Sequence, residues 1–200
     1  MISSLLLLIS FNLSAAVDWQ SASQEVVQSI DKMLIKVAPF KGKLNADLEP
    51  FYQDLDEITQ DRVDYPYIAK IVMGKYYRKA TEQQKLDFQV AFKRTLLKTY
   101  GKALVSFDIK GYELLKSRRL SPKPNKQKVV IKVTSTTGDT YSLINYLVYK
   151  ENKWKLVNIV LDGFNLRVTF KNQFGSIAQK NRGEMDLTIQ KWSDSMSKSK

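Results

Sequence analysis

The 200-residue sequence contains no cysteine and no histidine. Without cysteine the chain forms no disulfide, so a hydrophobic core must hold the fold together, and a chain of this length can bury one. Without histidine, serine–histidine and cysteine–histidine catalytic arrangements and histidine-containing metal sites are excluded. Catalysis would have to rest on carboxylates, lysines or hydroxyls. The acidic residues lie mostly in EPFYQDLDEITQDRVDY without a distinctive pair, so an exported carboxylate-dependent hydrolase acting on lipid or glycan stays an alternative that no motif supports.

The first 16 residues, MISSLLLLISFNLSAA, are typical of a secretory signal peptide. An uncharged apolar run extends from Leu5 to Leu13, and Ser14 and Ala16 have the small-residue spacing of a cleavage site. The run is well short of the roughly 20 residues that a membrane-spanning helix needs, so a membrane anchor is the weaker interpretation. We therefore predict an exported protein, with residues 1–16 as signal peptide and residues 17–200 as one mature domain.

The chain is strongly basic, with 32 Lys and Arg against 20 Asp and Glu, a formal net charge of +12. The excess is spread along the sequence, and in an exported protein it favours contact with anionic membrane phosphates, although solubility alone is the other interpretation. Tyr76 and Tyr77 among basic residues would suit single-stranded nucleic acid. They lie, however, between a helix-ending glycine at Gly74 and a T-x-x-Q capping box at Thr81, which predicts a connector between two helices and no nucleic-acid partner.

Apolar residues at helical spacing fill residues 17–104, so this part is predicted to be helical. Pro39 ends the first helix, Pro50 fits the first turn of the second, and Gly74 ends the third. In the long helix after Thr81, Phe88, Phe92 and Leu96 are assigned to the core. The predicted segments are SQEVVQSIDKMLIKVAP, NADLEPFYQDLDEITQ, DYPYIAKIVMG and the long helix ending near Leu104.

From about residue 105 to 162 the apolar period changes to two, which predicts four antiparallel strands joined by short turns. In the third strand Leu143 and Leu147 alternate with Tyr146 and Val148, so both of its faces are apolar. The fourth is interpreted likewise, with Val157 and Ile159 on the face opposite Leu156. Such strands must be covered on both faces, by helices or by an apolar ligand. Two helices are expected within residues 164–192, which completes an α+β domain.

Two sequence blocks resemble the MlaC family of periplasmic phospholipid-binding proteins, also described as toluene-tolerance auxiliary proteins. The first is DYPYIAKIVMGKYYRKATEQQKLDFQVAFKRTLLKTYGKAL, in which a short helix ends at a glycine, two aromatic residues and a basic residue follow, and a long helix ends in Tyr-Gly-x-Ala-Leu. The second is WKLVNIVLDGFNLRVTFKNQF, with a last strand, an acidic-Gly turn and a helix carrying a QF-type motif. The two blocks and the segment between them span most of the mature chain.

The resemblance implies helices wrapped around a strongly twisted four-stranded antiparallel sheet that encloses an apolar cavity. It implies a periplasmic phospholipid carrier of the maintenance-of-lipid-asymmetry (Mla) type, without catalysis, metal or cofactor, whose bound ligand is a glycerophospholipid. The implied partners are an outer-membrane lipoprotein–porin complex and an inner-membrane ABC transporter with an MCE-domain subunit, with transient contact with membrane surfaces. We expect the carrier to be a monomer.

With this resemblance, we predict that the lipid contacts apolar side chains at the motif positions and on the second faces of the central strands. A packed core position is the alternative for each of them, and a strand residue could lie on the other face if the register differs by one. The predicted lipid-binding residues are Ile68, Val72, Tyr100, Leu104, Ile131, Val133, Tyr146, Val148, Val157, Ile159, Phe164 and Val168.

Overall fold

The computed structural model describes residues 16–117, 119 and 121–198, so the predicted signal peptide lies outside the described residues except for Ala16. Within them the chain forms six α-helices and five β-strands. The helices are α1 Trp19–Val37, α2 Glu49–Thr59, α3 Tyr65–Met73, α4 Glu82–Ser106, α5 Leu166–Lys180 and α6 Met185–Lys198; the strands are β1 Ile109–Leu115, β2 Lys126–Ser135, β3 Thr140–Lys150, β4 Lys153–Leu161 and β5 Phe164–Asn165. No helix in this part of the chain has both the length and the hydropathy to span a membrane.

Side-chain caps fix the helix starts that the sequence predicts. Thr81 and Gln84 form the capping box of α4, in which each side chain accepts the other residue's backbone N–H, both at 3.1 Å. Asp64 caps α3 by accepting from the Tyr67 amide at 3.1 Å. Gly74, with φ of 56°, ends α3 in a conformation that favours glycine. These signals are local, which is why the sequence alone places them correctly.

The sheet has the order β1-β2-β3-β4-β5, and every neighbouring pair is antiparallel. The predicted four-stranded meander is confirmed, and a short fifth strand pairs with the end of β4. Glu151 and Asn152 join β3 to β4 with φ values of 55° and 58°. Positive φ at both central residues is the geometry of a two-residue hairpin turn whose twist matches the sheet.

The two faces of the sheet have different surroundings. On the inner face, Val129 and Ile131 of β2 and Leu147 of β3 pack under α1, together with Val26 of that helix and Trp154 of β4. The outer face carries the alternate residues of the same strands. One row of that face runs across four strands through the paired residues Leu115, Val130, Ile144 and Val160; all four are half-buried.

A β-bulge in β4 corrects the predicted face of one residue. Tyr146 pairs with Asn158, but the next residue, Leu147, pairs with Leu156, so Val157 is the extra residue of the bulge. Ile159 pairs with Asn145 and therefore lies on the inner face together with Leu156. The prediction that Ile159 and Leu156 lie on opposite faces is wrong, because one inserted residue reverses the alternation beyond it.

The hydrophobic core has three parts. The helical cluster joins α3, α4, α5 and α6. Within it the ring centroid of Trp192 lies 5.3 Å from that of Phe88 and 5.5 Å from that of Phe92. The sheet cluster joins α1 to the inner face. The third, the α2 cluster, joins the end of α1 to α2 and α4 around Phe51 and Val105. Helix α6 continues past residue 192, where the sequence places its end, because Met196 still packs in the helical cluster.

Two helical glycines offer opposite tests of this packing. A Cβ on Gly101 of α4 would lie 2.8 Å from Cε1 of Tyr52 and 3.0 Å from Cδ1 of Leu55, whereas one on Gly175 of α5 would meet nothing within 4 Å. Gly101→Ala should therefore lower the free energy of unfolding by about 1–3 kcal/mol through overpacking. Gly175→Ala should raise it by up to about 1 kcal/mol, because alanine is the better helix former.

Urea denaturation of the mature chain measures both values. Equal stabilisation by the two substitutions would contradict the close approach of α2 and α4 at Gly101.

Candidate functional site

An apolar pocket of about 130 Å³ lies where the three core clusters meet. Helix α1 forms one wall, the inner face of β3 and β4 forms the opposite wall, and the end of α2 closes the side. Each cluster contributes: Val26 from the sheet cluster, Met33 from the α2 cluster and Val63 from the helical cluster. The lining is Glu25, Val26, Ser29, Ile30, Met33, Ile58, Thr59, Arg62, Val63, Leu143, Asn145, Leu147, Trp154, Leu156 and Ile159.

A larger polar groove of about 820 Å³ adjoins this pocket and shares Glu25, Ile58, Arg62 and Trp154 with it. The groove runs beside α1 and the β3–β4 turn. Its basic side chains include Lys32, Lys36, Arg62 and Lys153, and its acidic ones are Glu25, Glu57 and Asp61. An apolar pocket thus opens beside a groove lined by charged side chains.

Arg62 stands at the junction of pocket and groove. Its guanidinium forms an ion pair with Glu25 and donates to the Ser29 hydroxyl at 3.2 Å, both on α1. Its backbone carbonyl accepts from the Leu156 amide at 2.7 Å, and the Asp64 amide donates to the Leu156 carbonyl at 3.0 Å. The segment after α2 is therefore fixed to the edge of β4, and its arginine connects that edge to α1.

Other polar contacts hold α1 along the rim of the pocket. The Trp154 indole N–H donates to the Ser21 hydroxyl at 3.1 Å, and the Tyr112 hydroxyl donates to the Asp31 carboxylate. Burial, together with the hydrogen bond to and the charge of Asp31, raises the pKa of Tyr112 to about 12. The hydroxyl therefore keeps its proton and remains a donor at neutral pH.

The groove's charged groups are largely paired. Lys153 donates to Asp61 at 2.8 Å, and Lys36 donates to Asp54 at 2.7 Å. The hydrogen bond from Lys153 holds the pKa of Asp61 below its ordinary value. Among the described residues, no group of three His, Cys, Asp or Glu side chains converges to hold a metal ion.

The structure distributes the predicted lipid-binding residues over several places. Ile159 lines the pocket. Ile131 and Val133 lie under α1 in the sheet cluster, while Ile68 and Val72 are buried in the helical cluster. Their contact with a ligand stays a prediction. Ile68, Val72 and Ile131 occupy closed core positions, and Val133 is half-buried.

The remaining predicted residues lie in other parts of the fold. Tyr100 is half-buried with its ring 6.4 Å from that of Phe170, and Leu104 packs against the α2 cluster. Phe164 and Val168 are exposed, at 72% and 48%. The others are on or near the outer face: Tyr146 is 37% exposed, Val148 is half-buried, and Val157 is buried at the bulge.

Sequence reasoning missed the contribution of α1 and of Arg62 to this site. Val26, Ile30 and Met33 form the pocket wall, and their helical spacing identifies only an amphipathic helix. Nothing in that spacing says which surface the stripe will cover, because the partner is a sheet that begins more than 70 residues after the end of α1. Arg62 follows α2 in an acidic segment, where a lone basic residue gives no signal of a site.

Comparison with known proteins identifies the family. The profile of the MlaC protein family matches residues 27–194, from α1 to α6. The chain belongs to the MlaC family. It is 32% identical over 161 residues to the toluene tolerance protein Ttg2D of Pseudomonas putida, which covers 80% of this chain and 74% of that protein.

A solved structure has the same MlaC-type fold. It is a phospholipid-binding protein of Ralstonia solanacearum, determined in complex with a phospholipid. The two chains superpose with a TM-score of 0.76 at 24% sequence identity, over 89% of this chain and 99% of that one. The matched region of the MlaC profile includes α1 from residue 27 onward, α2 and the β3–β4 hairpin, and therefore the whole pocket lining except Glu25 and Val26.

Trp154 lines the pocket and packs in the cluster that joins α1 to the sheet. Trp154→Ala removes a side chain that is 6% exposed and packs between α1 and β3, and should lower the free energy of unfolding by about 3–5 kcal/mol. Hydrogen exchange of the α1 amides should rise more than that of the α6 amides, because α6 belongs to the separate helical cluster.

Trp154→Phe is the matched control. It keeps an aromatic ring in the pocket wall and removes the hydrogen bond to Ser21, so it should cost only about 1–2 kcal/mol. If exchange rises equally in α1 and α6 with Trp154→Ala, the clusters do not loosen independently.

Proposed function

We propose that this MlaC-family protein binds a glycerophospholipid in the periplasm and carries it between membranes. The observation that carries the proposal is the contiguity of an apolar pocket and a charged groove, which share four residues. The acyl chains would enter the apolar side. The phosphate-bearing headgroup would remain in the groove near Arg62 and Lys32, where water and cations surround it and desolvation is small.

The physical need for such a carrier comes from the acyl chains. Burying a methylene is worth about 0.8 kcal/mol. Exposing two chains of roughly 30 methylenes together to water would therefore cost about 24 kcal/mol of free energy. Spontaneous transfer of a lipid monomer through water is therefore negligible. A protein that covers the chains with aliphatic side chains offsets most of that cost, and this term does not depend on the headgroup.

The pocket must enlarge to hold such a ligand. Its volume of about 130 Å³ is below the roughly 300–1,000 Å³ of ordinary ligand sites. The three core clusters meet at the pocket without merging, so α2 and the end of α1 can move away from the sheet while the helical cluster stays packed. The contacts that hold α1 at the rim are mainly polar, and water can replace them at a net cost of about 0.5–1.5 kcal/mol each.

The direction of enlargement follows the inner face of β4. Leu156 and Ile159 line the pocket, and Leu161 lies beyond them on the same face. Leu161 pairs with Phe164, and both side chains are exposed, at 38% and 72%. An acyl chain that extends from the pocket along this face would cover both, with Val168, Tyr100 and Leu104 on the neighbouring helices as further candidates.

The proposed path of the lipid runs between two membrane complexes. We expect the carrier to receive or deliver lipid at an outer-membrane lipoprotein–porin complex and at an inner-membrane ABC transporter with an MCE-domain subunit. It would act as a monomer without a cofactor. Membership of the MlaC family supports this role.

The proposed carrier has no catalytic role, and the carboxylates beside the pocket support this. Glu25 is paired with Arg62, and the pKa of Asp61 is lowered by Lys153. A carboxyl group that donates a proton in hydrolysis needs a raised pKa instead. A substrate screen in which turnover disappears with Asp61→Asn would favour the hydrolase alternative.

Native mass spectrometry of protein purified from the periplasm should detect co-purified phospholipid. Phe164→Glu should lower the retained lipid by on the order of tenfold or more, since burial of an aromatic side chain is worth about 1.5–3 kcal/mol. The matched control is Val90→Glu, because Val90 on α4 is also 66% exposed and lies outside the proposed path. Wild-type protein that carries no lipid and takes none from vesicles would contradict the proposal.

Ile159→Trp tests the pocket itself. The larger side chain should occupy the existing pocket volume and reduce lipid retention, while Val90→Trp should leave it unchanged. If Ile159→Trp keeps the wild-type amount of lipid in a folded protein, the acyl chains lie elsewhere.

A further inference from the structure

The outer face of the sheet combines apolar residues with lysines. Its central row consists of the half-buried Leu115, Val130, Ile144 and Val160. In the next row Lys128 pairs with Tyr146, and in the row after that Val148 stands between Lys126 and Lys155. The three lysines form a triangle on one face, with Val148 between two of them and Tyr146 next to the third.

The charge of this triangle is not neutralised by neighbouring carboxylates. Other lysines of the same face are near acids: Lys132 lies 4.0 Å from Glu113, and Lys153 lies 2.8 Å from Asp61. Among the residues that the structure describes, Lys126, Lys128 and Lys155 form no ion pair, although Lys155 contributes to lowering the pKa of Asp61. The acidic partners thus lie toward the ends of the face, and its middle is cationic.

The exposed apolar area of this face also needs a partner. Tyr146 is 37% exposed, and its three aliphatic neighbours Val130, Ile144 and Val148 are half-buried. Helices α3 and α5 pack against β4, and α1 covers the inner face. The outer face of β2 and β3 therefore keeps an apolar surface in contact with solvent, surrounded by positive charge.

The residue types favour a bilayer over an acidic protein as the partner. Protein–protein interfaces are enriched in arginine and depleted in lysine, whereas residues 126–161 contain lysines and no arginine. Lysine binds phosphate as a compact point charge on a flexible stem, which suits lipid headgroups that have no fixed positions. A tyrosine with an apolar ring and a polar hydroxyl suits the headgroup region.

We propose that the outer face of the sheet is a docking surface for an anionic phospholipid bilayer. Lys126, Lys128 and Lys155 contact phosphates of the membrane surface, and the ring of Tyr146 enters the headgroup layer between them. This surface is on the side of the sheet opposite the pocket. Docking therefore brings the carrier to the membrane without covering α1, and the groove, which reaches the end of this face at Lys153, lies at the margin of the docked surface.

The test is binding of the mature protein to vesicles of phosphatidylcholine, with and without phosphatidylglycerol, measured by co-sedimentation. Wild-type protein should bind the anionic vesicles, and salt should weaken the binding, because a Debye length of about 8 Å at physiological ionic strength screens such contacts. The triple substitution Lys126→Gln, Lys128→Gln, Lys155→Gln should weaken binding by about fivefold per lysine, on the order of 100-fold together. Tyr146→Ser should weaken it further.

The matched control removes the same net charge elsewhere. Lys102, Lys180 and Lys191 are exposed on α4, α5 and α6, and their triple replacement by glutamine should change binding by less than about threefold, since they do not belong to the docked face and salt screens charges outside the contact. An equal loss in both triple variants would mean that only total charge matters and would overturn the proposal. Wild-type protein that does not bind anionic vesicles would also overturn it, and would leave an acidic protein as the partner of this face.

Vesicle binding and lipid carriage should be separable. The outer-face triple variant should still co-purify with its lipid, and Phe164→Glu should still bind anionic vesicles. Loss of docking together with retained lipid therefore identifies the outer face, whereas loss of both would assign these lysines to the lipid site and contradict a separate docking surface.

Discussion

The packing of α1 across the inner face of the sheet is the interaction on which the rest of the structure depends. Strands β3 and β4 carry apolar residues on both faces, and water cannot cover either face without cost. One helix supplies most of the inner cover through Val26 and its neighbours. Because a single helix is narrower than the sheet, the cover ends at a gap between α1, α2 and β4, and this gap is the pocket.

The division of the core into three clusters makes that gap useful. The helical cluster around Phe88 and Trp192 has its own dense aromatic packing and contains no residue of α1. The sheet and α2 clusters meet it at the pocket and are connected across the rim by Arg62 and Trp154. In such a domain one cluster can stay rigid while the volume between the clusters changes, which a single close-packed core does not allow.

The two faces of the sheet divide the proposed work between them. The inner face leads from the pocket to the exposed Leu161 and Phe164 and suits acyl chains, whereas the outer face carries lysines around Tyr146 and suits a membrane surface. The same strands produce both faces, because successive side chains along a strand point to opposite sides of the sheet. The net charge of +12 is in this respect less informative than the position of Lys126, Lys128 and Lys155, which form no ion pair with any described residue.

The sequence by itself determined the features that depend on short-range chemistry. The Thr81–Gln84 box, the Gly74 terminator and the strand period each involve residues a few positions apart, and the structure has them where the sequence predicts them. The two motif blocks likewise identified the family. The buried positions of Phe88 and Phe92 followed from helical spacing alone.

Only the tertiary structure decided the site. The bulge at Val157 moves Ile159 to the inner face, and no local signal marks it, since an inserted residue matters only relative to the partner strand. The approach of α1 to a sheet formed far along the chain, and the contact of Arg62 with Glu25, depend on how whole elements pack. Packing is set by the summed burial of many side chains, which the pattern of one segment does not contain.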